Sequence, residues 1–517
     1  MKRRNFVQAM ALSSIGAPLI MKNFKFGAVT DDLFGVPKSV EDRVLVIIRL
    51  NGGNDGLGTL VPIDQYANLN IQRPNIIIPE NQLLNITPTL ALHTVMTGMR
   101  DMYNDGKLSV IQNVGYPIQN RSHFQSMDIW STGLMTQPAT TGWLGRRFDA
   151  QYPNFPDDYP NATYPDPFAI SMGYEVSSTC QGLMANFSVA TVDPFDTYSL
   201  YETTEVNDGT YYGSHLEYLS TMIAQANAYG AQVNAAANAG NTMSAMYDDN
   251  NDLAVQLRYV AQMISGGLKS KIYILNINGF DTHDSQVVNG APTTGNHADL
   301  MKSVSDAIRA FQDDIELLGI SQRIAGMTFS EFGRQIASNA SYGTDHGDAA
   351  PLFLFGSCLS GQIIGPNPVI PNTVTDQAGV PMQIDFRDVY ASVLKDWFLA
   401  DETEVQNLFE HTVNFIPVLA GCNLGIDDNT KVADISVFPN PCGEKTTVKF
   451  TSDGERVTVL VHDISGRKVG TFCDKTLSPG EQLVPIDMEG QESGTYVVTV
   501  YKNSGTFTKR FLKVKTL

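Results

Sequence analysis

The chain has 517 residues, with 35 Lys or Arg against 54 Asp or Glu and a formal net charge of −19. That balance excludes a nucleic-acid binder, because neutralising phosphates requires Lys and Arg, and the length allows two or three domains with a sizeable core. Five cysteines lie far apart with no C-x-x-C, which excludes a disulfide scaffold, although Cys442 and Cys473 stand close enough in sequence to bridge within the tail.

At the N-terminus Lys2, Arg3 and Arg4 precede an apolar stretch from Phe6 to Met21 that carries no charge. This is the pattern of a signal peptide over residues 1–30, with the mature chain starting between Gly27 and Lys38; the alternative is a basic amphipathic helix that stays attached. Arg3-Arg4-Asn5-Phe6-Val7 resembles a twin-arginine export signal. No later apolar run reaches about 18 residues, so no transmembrane segment is expected in the mature chain.

The run Arg43-Val-Leu-Val-Ile-Ile-Arg-Leu50 predicts a strand buried on both faces, running into the glycine-rich turn Asn51-Gly-Gly-Asn-Asp-Gly56. A helix is expected around Leu90 to Tyr103 and a strand from Leu108 to Val114. Residues 151 to 214, rich in Pro, Asp, Tyr and Asn, read as loops or a cap, and residues 215 to 250 as an inserted helix. Leu253, Leu257, Val260 and Ile264 mark a helix that leads to a strand from Lys271 to Ile277. Leu300, Val304, Ile308, Phe311 and Ile315 are helix-spaced, with Gly319 as C-cap. Strands at Ile324–Phe329 and Leu352–Phe355 and a helix from Asp388 to Phe398 follow. This alternation predicts an α/β fold with a mostly parallel sheet flanked by helices, spanning residues 40–428. The texture changes near Leu424 to Lys431. Alternating strands at Thr447–Phe450, Val457–Val461, Tyr496–Tyr501 and Phe507–Val514, with turns at Asp463-Ile-Ser-Gly466 and Asn503-Ser-Gly505, predict a β-sandwich over residues 433–517.

Polar clusters follow the strands, where open α/β sheets form their sites. They are Asn54-Asp55, Asn120-Arg-Ser-His-Phe124, Gly279-Phe-Asp-Thr-His283, Ser330-Glu-Phe-Gly-Arg334 and Thr344-Asp-His-Gly347. Asp and neutral His are natural ligands of borderline divalent metals. Taken singly, Asp55 also reads as a turn-former, Asp281-Thr-His283 as an N-cap beside a surface histidine, and Glu331 with Arg334 as a local ion pair. His93, His215, His411 and His462 lack such context. No G-x-S-x-G, P-loop or dinucleotide fingerprint occurs.

Together, Leu50-Asn-Gly-Gly-Asn-Asp-Gly-Leu57, Gly115-Tyr-Pro-Ile-Gln-Asn-Arg-Ser-His-Phe124, Ser126-Met-Asp-Ile-Trp130, Gly279-Phe-Asp-Thr-His283, Thr328-Phe-Ser-Glu-Phe-Gly-Arg334 and Gly343-Thr-Asp-His-Gly-Asp348 resemble the DUF1501 family of exported bacterial proteins. That family in turn resembles the alkaline phosphatase and sulfatase superfamily. The resemblance implies one or two divalent ions (Zn, Mn, Mg or Ca) held by Asp55, Asp281, His283, Asp345 and His346, with Ser122 as nucleophile at a helix start. Asp281 and His283 stand closer in sequence than that superfamily's pattern, and no clear downstream histidine completes the set; His297 or His123 could take the place, with Glu331 and Arg334 nearby. Phe438-Pro-Asn-Pro441, Val461-His-Asp-Ile-Ser-Gly-Arg-Lys-Val469 and Gly494-Thr-Tyr-Val-Val-Thr-Val500 resemble the type A sorting domain of the type IX secretion system, which implies that secretion machinery as a partner and a cell-surface or secreted destination. Two functions fit these readings. One is a metal-dependent hydrolase of phosphate or sulfate esters, acting on an anionic ester or polysaccharide; the other is a non-catalytic binding or assembly protein of the cell surface.

Overall fold

A computed structural model describes residues 42–196, 208–359, 361–419, 436–452, 454–463, 468–502 and 505–514, plus a two-stranded ribbon of Ile20–Met21 and Phe24–Lys25. Apart from that ribbon, the expected export signal and its cleavage region lie outside the described residues, as do the linker near 424–431 and turn residues 464–467 and 503–504. The chain divides into two compact units, residues 1–424 and 425–517.

The first unit is built on one nine-stranded sheet. In chain order its strands are β1 (Val44–Asn51), β2 (Leu108–Gly115), β3 (Ala169–Met172), β4 (Ser188–Thr191), β5 (Ile272–Asn278), β6 (Ile324–Phe329), β7 (Ala350–Gly356), β8 (Ile363–Ile364) and β9 (Ile384–Asp385). Their spatial order is β8-β2-β7-β6-β1-β5-β3-β4, with β9 also on β2. All pairings are parallel except those of β7, which runs antiparallel to both β6 and β2. The start of β7 therefore lies at the edge where β1, β5 and β6 end.

Period-2 alternation splits β1 between two cores. Leu45 and Ile47 join one, and Val44, Val46, Ile48 and Leu50 the other. The first core is covered by α2 (His123–Thr132), α3 (Trp143–Gln151) and α7 (Phe386–Phe398), through Trp130, Trp143, Tyr390 and Trp397. The second is covered by α1 (Thr97–Asn104), α4 (Tyr211–Ala239), α5 (Asp252–Ser265) and α6 (Asn296–Leu317). In α6 the helix-spaced Val304, Ile308, Phe311 and Ile315 are buried, and Gly319 takes a left-handed φ of 71° just past its end.

Two expectations need correction. Residues 151 to 214 are not only loop, because β3 and β4 extend the sheet from within that Pro- and Tyr-rich stretch. Leu90–Leu92 is a strand in a small antiparallel sheet with Leu60–Pro62 and Leu84–Thr87, and the expected helix starts only at Thr97.

The second unit has two antiparallel sheets around one core that includes Val448, Phe450, Val459, Ile486, Val498 and Val500. One sheet contains Ser436–Phe438, Lys445–Ser452 and Gly480–Asp487; the other contains Lys468–Thr476, Arg456–Asp463, Gly494–Lys502 and Gly505–Lys513. Cys442 and Cys473 are buried free thiols, so the bridge considered between them does not form.

Candidate metal centre at the sheet edge

Strand β1 ends in Gly52 and Gly53, both at positive φ (124° and 82°), and a Cβ on Gly52 would sit 2.3 Å from the Asp281 amide nitrogen. Only glycine permits that approach, which brings the loops after β1 and β5 together. Arg334, fully buried in the loop after β6, fastens them. Its guanidinium donates to Gly53 O (2.7 Å), Thr344 O (2.9 Å), Phe280 O (2.9 Å), Gly52 O and Asp281 Oδ1 (2.6 Å). A planar five-donor group suits this task better than a lysine ammonium would. The expected Glu331–Arg334 ion pair is thus replaced by Arg334–Asp281.

Helix α2 is attached to the same loop. Ser126 Oγ and Trp130 Nε1 both donate to Glu331 O, at 2.5 and 2.9 Å, which carries His123 to the site. The return of the chain toward β7 is zipped to its outgoing arm by Gly347 N to Gly333 O (2.8 Å), Gly333 N to Asp348 O (2.7 Å) and Gln335 N to Asp345 O (2.9 Å).

Three histidines surround the Asp281 carboxylate. His123 Nε2 is 3.4 Å from Oδ2, while His283 Nε2 and His346 Nε2 are 3.2 and 3.1 Å from Oδ1. His283 and His346 bring their Nε2 atoms within 2.9 Å of each other. Each opposite ring nitrogen meets an oxygen: His123 Nδ1 meets Glu331 Oε1 (2.9 Å), His283 Nδ1 meets Asp345 Oδ1 (2.7 Å) and His346 Nδ1 meets Arg121 O (2.8 Å). The neutral tautomer that satisfies these acceptors carries its proton on Nδ1 and leaves Nε2 as a lone pair. Carboxylate or carbonyl on one nitrogen and lone pair on the other is how proteins orient metal-ligating histidines.

Charge is arranged consistently. Burial would raise the Asp281 carboxyl, but the hydrogen bond and the charge of Arg334 hold it down at about 2. Asp345 is held below its usual range, first by its bond to His283. Burial pushes His346 down, which favours its neutral form. His123, Asp281 and His346 place one ligand atom each within 4.8 Å of the others, and His283 Nε2 lies 2.9 Å from His346 Nε2 and 3.2 Å from Asp281 Oδ1. These donors fit a divalent ion that accepts imidazole, such as Zn²⁺ or Mn²⁺, better than Mg²⁺ or Ca²⁺, which favour all-oxygen sets.

The other anticipated residues fall elsewhere. Asp55 is sealed away, with Arg73 Nη1 donating to both its oxygens (3.0 and 2.9 Å) and Gln286 Nε2 donating at 2.6 Å. His297 is buried beside it against Asn54 Oδ1 (3.1 Å) and is pushed down to about 4 by burial. His411 bonds Asp388 Oδ1 at 2.8 Å. Ser122 is exposed at the N-cap of α2, its hydroxyl making no capping bond. Sequence reasoning left out Arg73, Gln286 and Arg121. Arg73 and Gln286 stand outside every polar cluster in the sequence, and Arg121, inside one, acts through its backbone carbonyl, which no side-chain pattern marks.

Comparison with known proteins bears on both units. Residues 436–514 match the secretion system C-terminal sorting domain, and such a tail implies involvement of the type IX secretion system, with export to the surface or beyond. No helix among the described residues is long and apolar enough to cross a membrane. No curated protein matches the chain. Solved structures similar to it include PorZ, a surface component of the type IX secretion system of Porphyromonas gingivalis (21% identity, TM-score 0.14), of which this chain spans 13% while 18% of its own length is covered. A protein of the alkaline phosphatase superfamily from Vibrio parahaemolyticus is 9% identical, with 95% of this chain and 90% of that one covered and a TM-score of 0.33. The phosphonate monoester hydrolase of Silicibacter pomeroyi is 10% identical, with 91% and 89% covered and a TM-score of 0.32. Residues 42–409, nearly the whole α/β unit, match the model described as protein of unknown function (DUF1501), and the chain belongs to that family.

Proposed function

We propose that this protein is an exported metal-dependent hydrolase of phosphate or sulfate esters. The observation that carries this reading is the convergence of three Nε2 atoms on the Asp281 carboxylate, each ring oriented by an oxygen behind it. His123, His283, His346 and Asp281 would hold the ion, while Glu331, Asp345 and the Arg121 carbonyl fix the rings. A divalent ion in such a site supplies positive charge to a reacting oxygen and lowers its pKa. Arg334 keeps Asp281 ionised and holds the loops in register, and Ser122, exposed and directly before His123, is the proposed nucleophile. It opens a ten-residue helix, whose terminal amides favour a bound anion.

Metal analysis of the purified protein, combined with turnover of an aryl phosphate and an aryl sulfate, tests the reading. Wild type should retain close to one ion per chain and hydrolyse one of the esters. Ser122→Ala should keep the ion and lose turnover by at least about a hundredfold, since the nucleophile is needed for chemistry and not for ligation. A metal-replete wild type that turns over neither ester would instead support a non-catalytic surface protein.

A further inference from the structure

Beside the histidine cluster, at the same sheet edge, lies a cavity of about 420 Å³ bounded by the ends of β1, β3 and β5 and by α5. Its volume falls within the range of small-molecule sites. Its lining is unusual in what it leaves unsatisfied. Arg49 Nε, Asn51 Oδ1, Gln256 Oε1 and Asn276 Oδ1 are all buried and have no hydrogen-bond partner. The side chains that carry these atoms come from three separate elements and all line this one space, whereas buried polar atoms in folded proteins are nearly always paired. Asn51 makes one bond there, from Nδ2 to Asn278 Oδ1 at 2.8 Å, so its amide is oriented and its own oxygen is left over. At the rim stands Tyr174, with 91% of its surface exposed, on the segment that follows β3.

The chemistry of these four side chains, three amides and a guanidinium, selects a ligand. Three carbonyl oxygens need donors, and a guanidinium N–H needs an acceptor. An apolar ligand would leave all four unpaired, and an inorganic anion could answer only the arginine. A polyphosphate is disfavoured further by a chain of net charge −19. Hydroxyl groups both donate and accept, so a ring carrying several of them can meet amide oxygens and guanidinium together. Its C–H face can lie on an exposed aromatic ring such as Tyr174. The location is equally specific. Asn51 directly precedes Gly52 and Asn278 stands three residues before Asp281, so both cavity walls continue straight into the loops of the metal centre.

We infer that this cavity is a glycan subsite, seating one sugar residue among Arg49, Asn51, Gln256 and Asn276 with Tyr174 as its platform. Resting on the hydrolase reading above, that sugar belongs to the alcohol portion of the ester cleaved at the histidine cluster, so the substrate class is an esterified polysaccharide.

An array of neutral, uronate-bearing and sulfated oligosaccharides, probed with full-length protein and followed by calorimetry on those retained, tests this. Wild type should retain at least one oligosaccharide. Tyr174→Ala and Asn276→Leu should each weaken that affinity at least tenfold, with melting temperature and bound metal unchanged. Because Tyr174 is almost wholly exposed, its replacement keeps the test valid if Asn276→Leu fails to fold. Retention of no oligosaccharide, or equal retention by wild type and Tyr174→Ala, overturns the subsite. The two readings separate cleanly: a protein that hydrolyses an aryl ester but retains no glycan overturns the subsite alone, and one that retains glycans through Tyr174 yet takes up no metal overturns the hydrolase alone.

Discussion

Two sets of aspartate and histidine lie at the C-terminal edge of one sheet, and they have opposite characters. Around Asp281 an arginine touches one carboxylate oxygen and histidine nitrogens approach both. Around Asp55 an arginine takes both oxygens, an amide adds a third bond, and the group is wholly enclosed. Residue type alone does not separate a ligand from a structural ion. What separates them is how much of the carboxylate another cation has already claimed. A saturated buried pair stabilises local structure and has nothing left to offer a metal, whereas a half-claimed one is kept ionised and still available.

The contrast can be broken most forcefully at Arg73. Arg73→Ala leaves Asp55 buried without its cation and should cost about 3–5 kcal/mol of unfolding free energy by urea titration. Bound metal per folded chain should stay at the wild-type level; if it falls in step, the two sets are one site. The pH dependence gives an independent reading. Burial alone would raise the Asp55 carboxyl, but the charge of Arg73 and the hydrogen bonds from Arg73 and Gln286 hold it below its usual range. A depressed carboxyl contributes stability that is complete above the unfolded value of about 3.9 and is lost as pH falls through the lower folded value. The stability gap between wild type and Asp55→Asn should therefore be widest near neutrality and close in acid.

A smaller effect sharpens the other side. Glu331→Gln removes the charge behind His123 Nδ1 while preserving shape, and should weaken metal binding by about tenfold in competition with a chelator, as oriented outer partners typically do. No change would mean that His123 is not a ligand. The smallest effect on stability belongs to Ser122→Ala, whose exposed hydroxyl caps nothing; its melting curve should match wild type to within about 0.5 kcal/mol. A larger loss would give Ser122 a structural part.

The sequence was most readable where a signal was local. The near-continuous apolar run of β1 announced a strand buried on both faces; Asp281-Thr-His283 stood out because it follows its strand closely, and Asp345-His346 because an adjacent Asp-His pair sits between Gly343 and Gly347. Individual roles were harder to read. Asp345 lies behind a histidine and not in front of the cluster, because that depends on which way the His283 ring turns, and Asn339 helps hold Asp345 there. Asp55 looked like a ligand because its saturating partner, Arg73, sits in an ordinary stretch whose importance only the folded chain reveals. Strands β3 and β4 were hidden because four residues among prolines and tyrosines carry too little periodicity to register.

The reversed direction of β7 has a consequence for how the centre is assembled. In an all-parallel sheet the chain leaving β6 would have to travel back along the whole sheet, through a crossover of a dozen or more residues, before it could contribute again at this edge. Running β7 backwards lets a single excursion, from Ser330 to Ala349, leave and re-enter on the same side. Its outgoing arm supplies Glu331 and Arg334, and its returning arm supplies Asp345 and His346. Half of the centre is thus encoded in one short lasso whose closure costs little chain entropy. Its tip, between the zipped arms, is part of the same device, because Asn339 there donates to Asp345 Oδ1 at 3.2 Å and so helps fix the group behind His283.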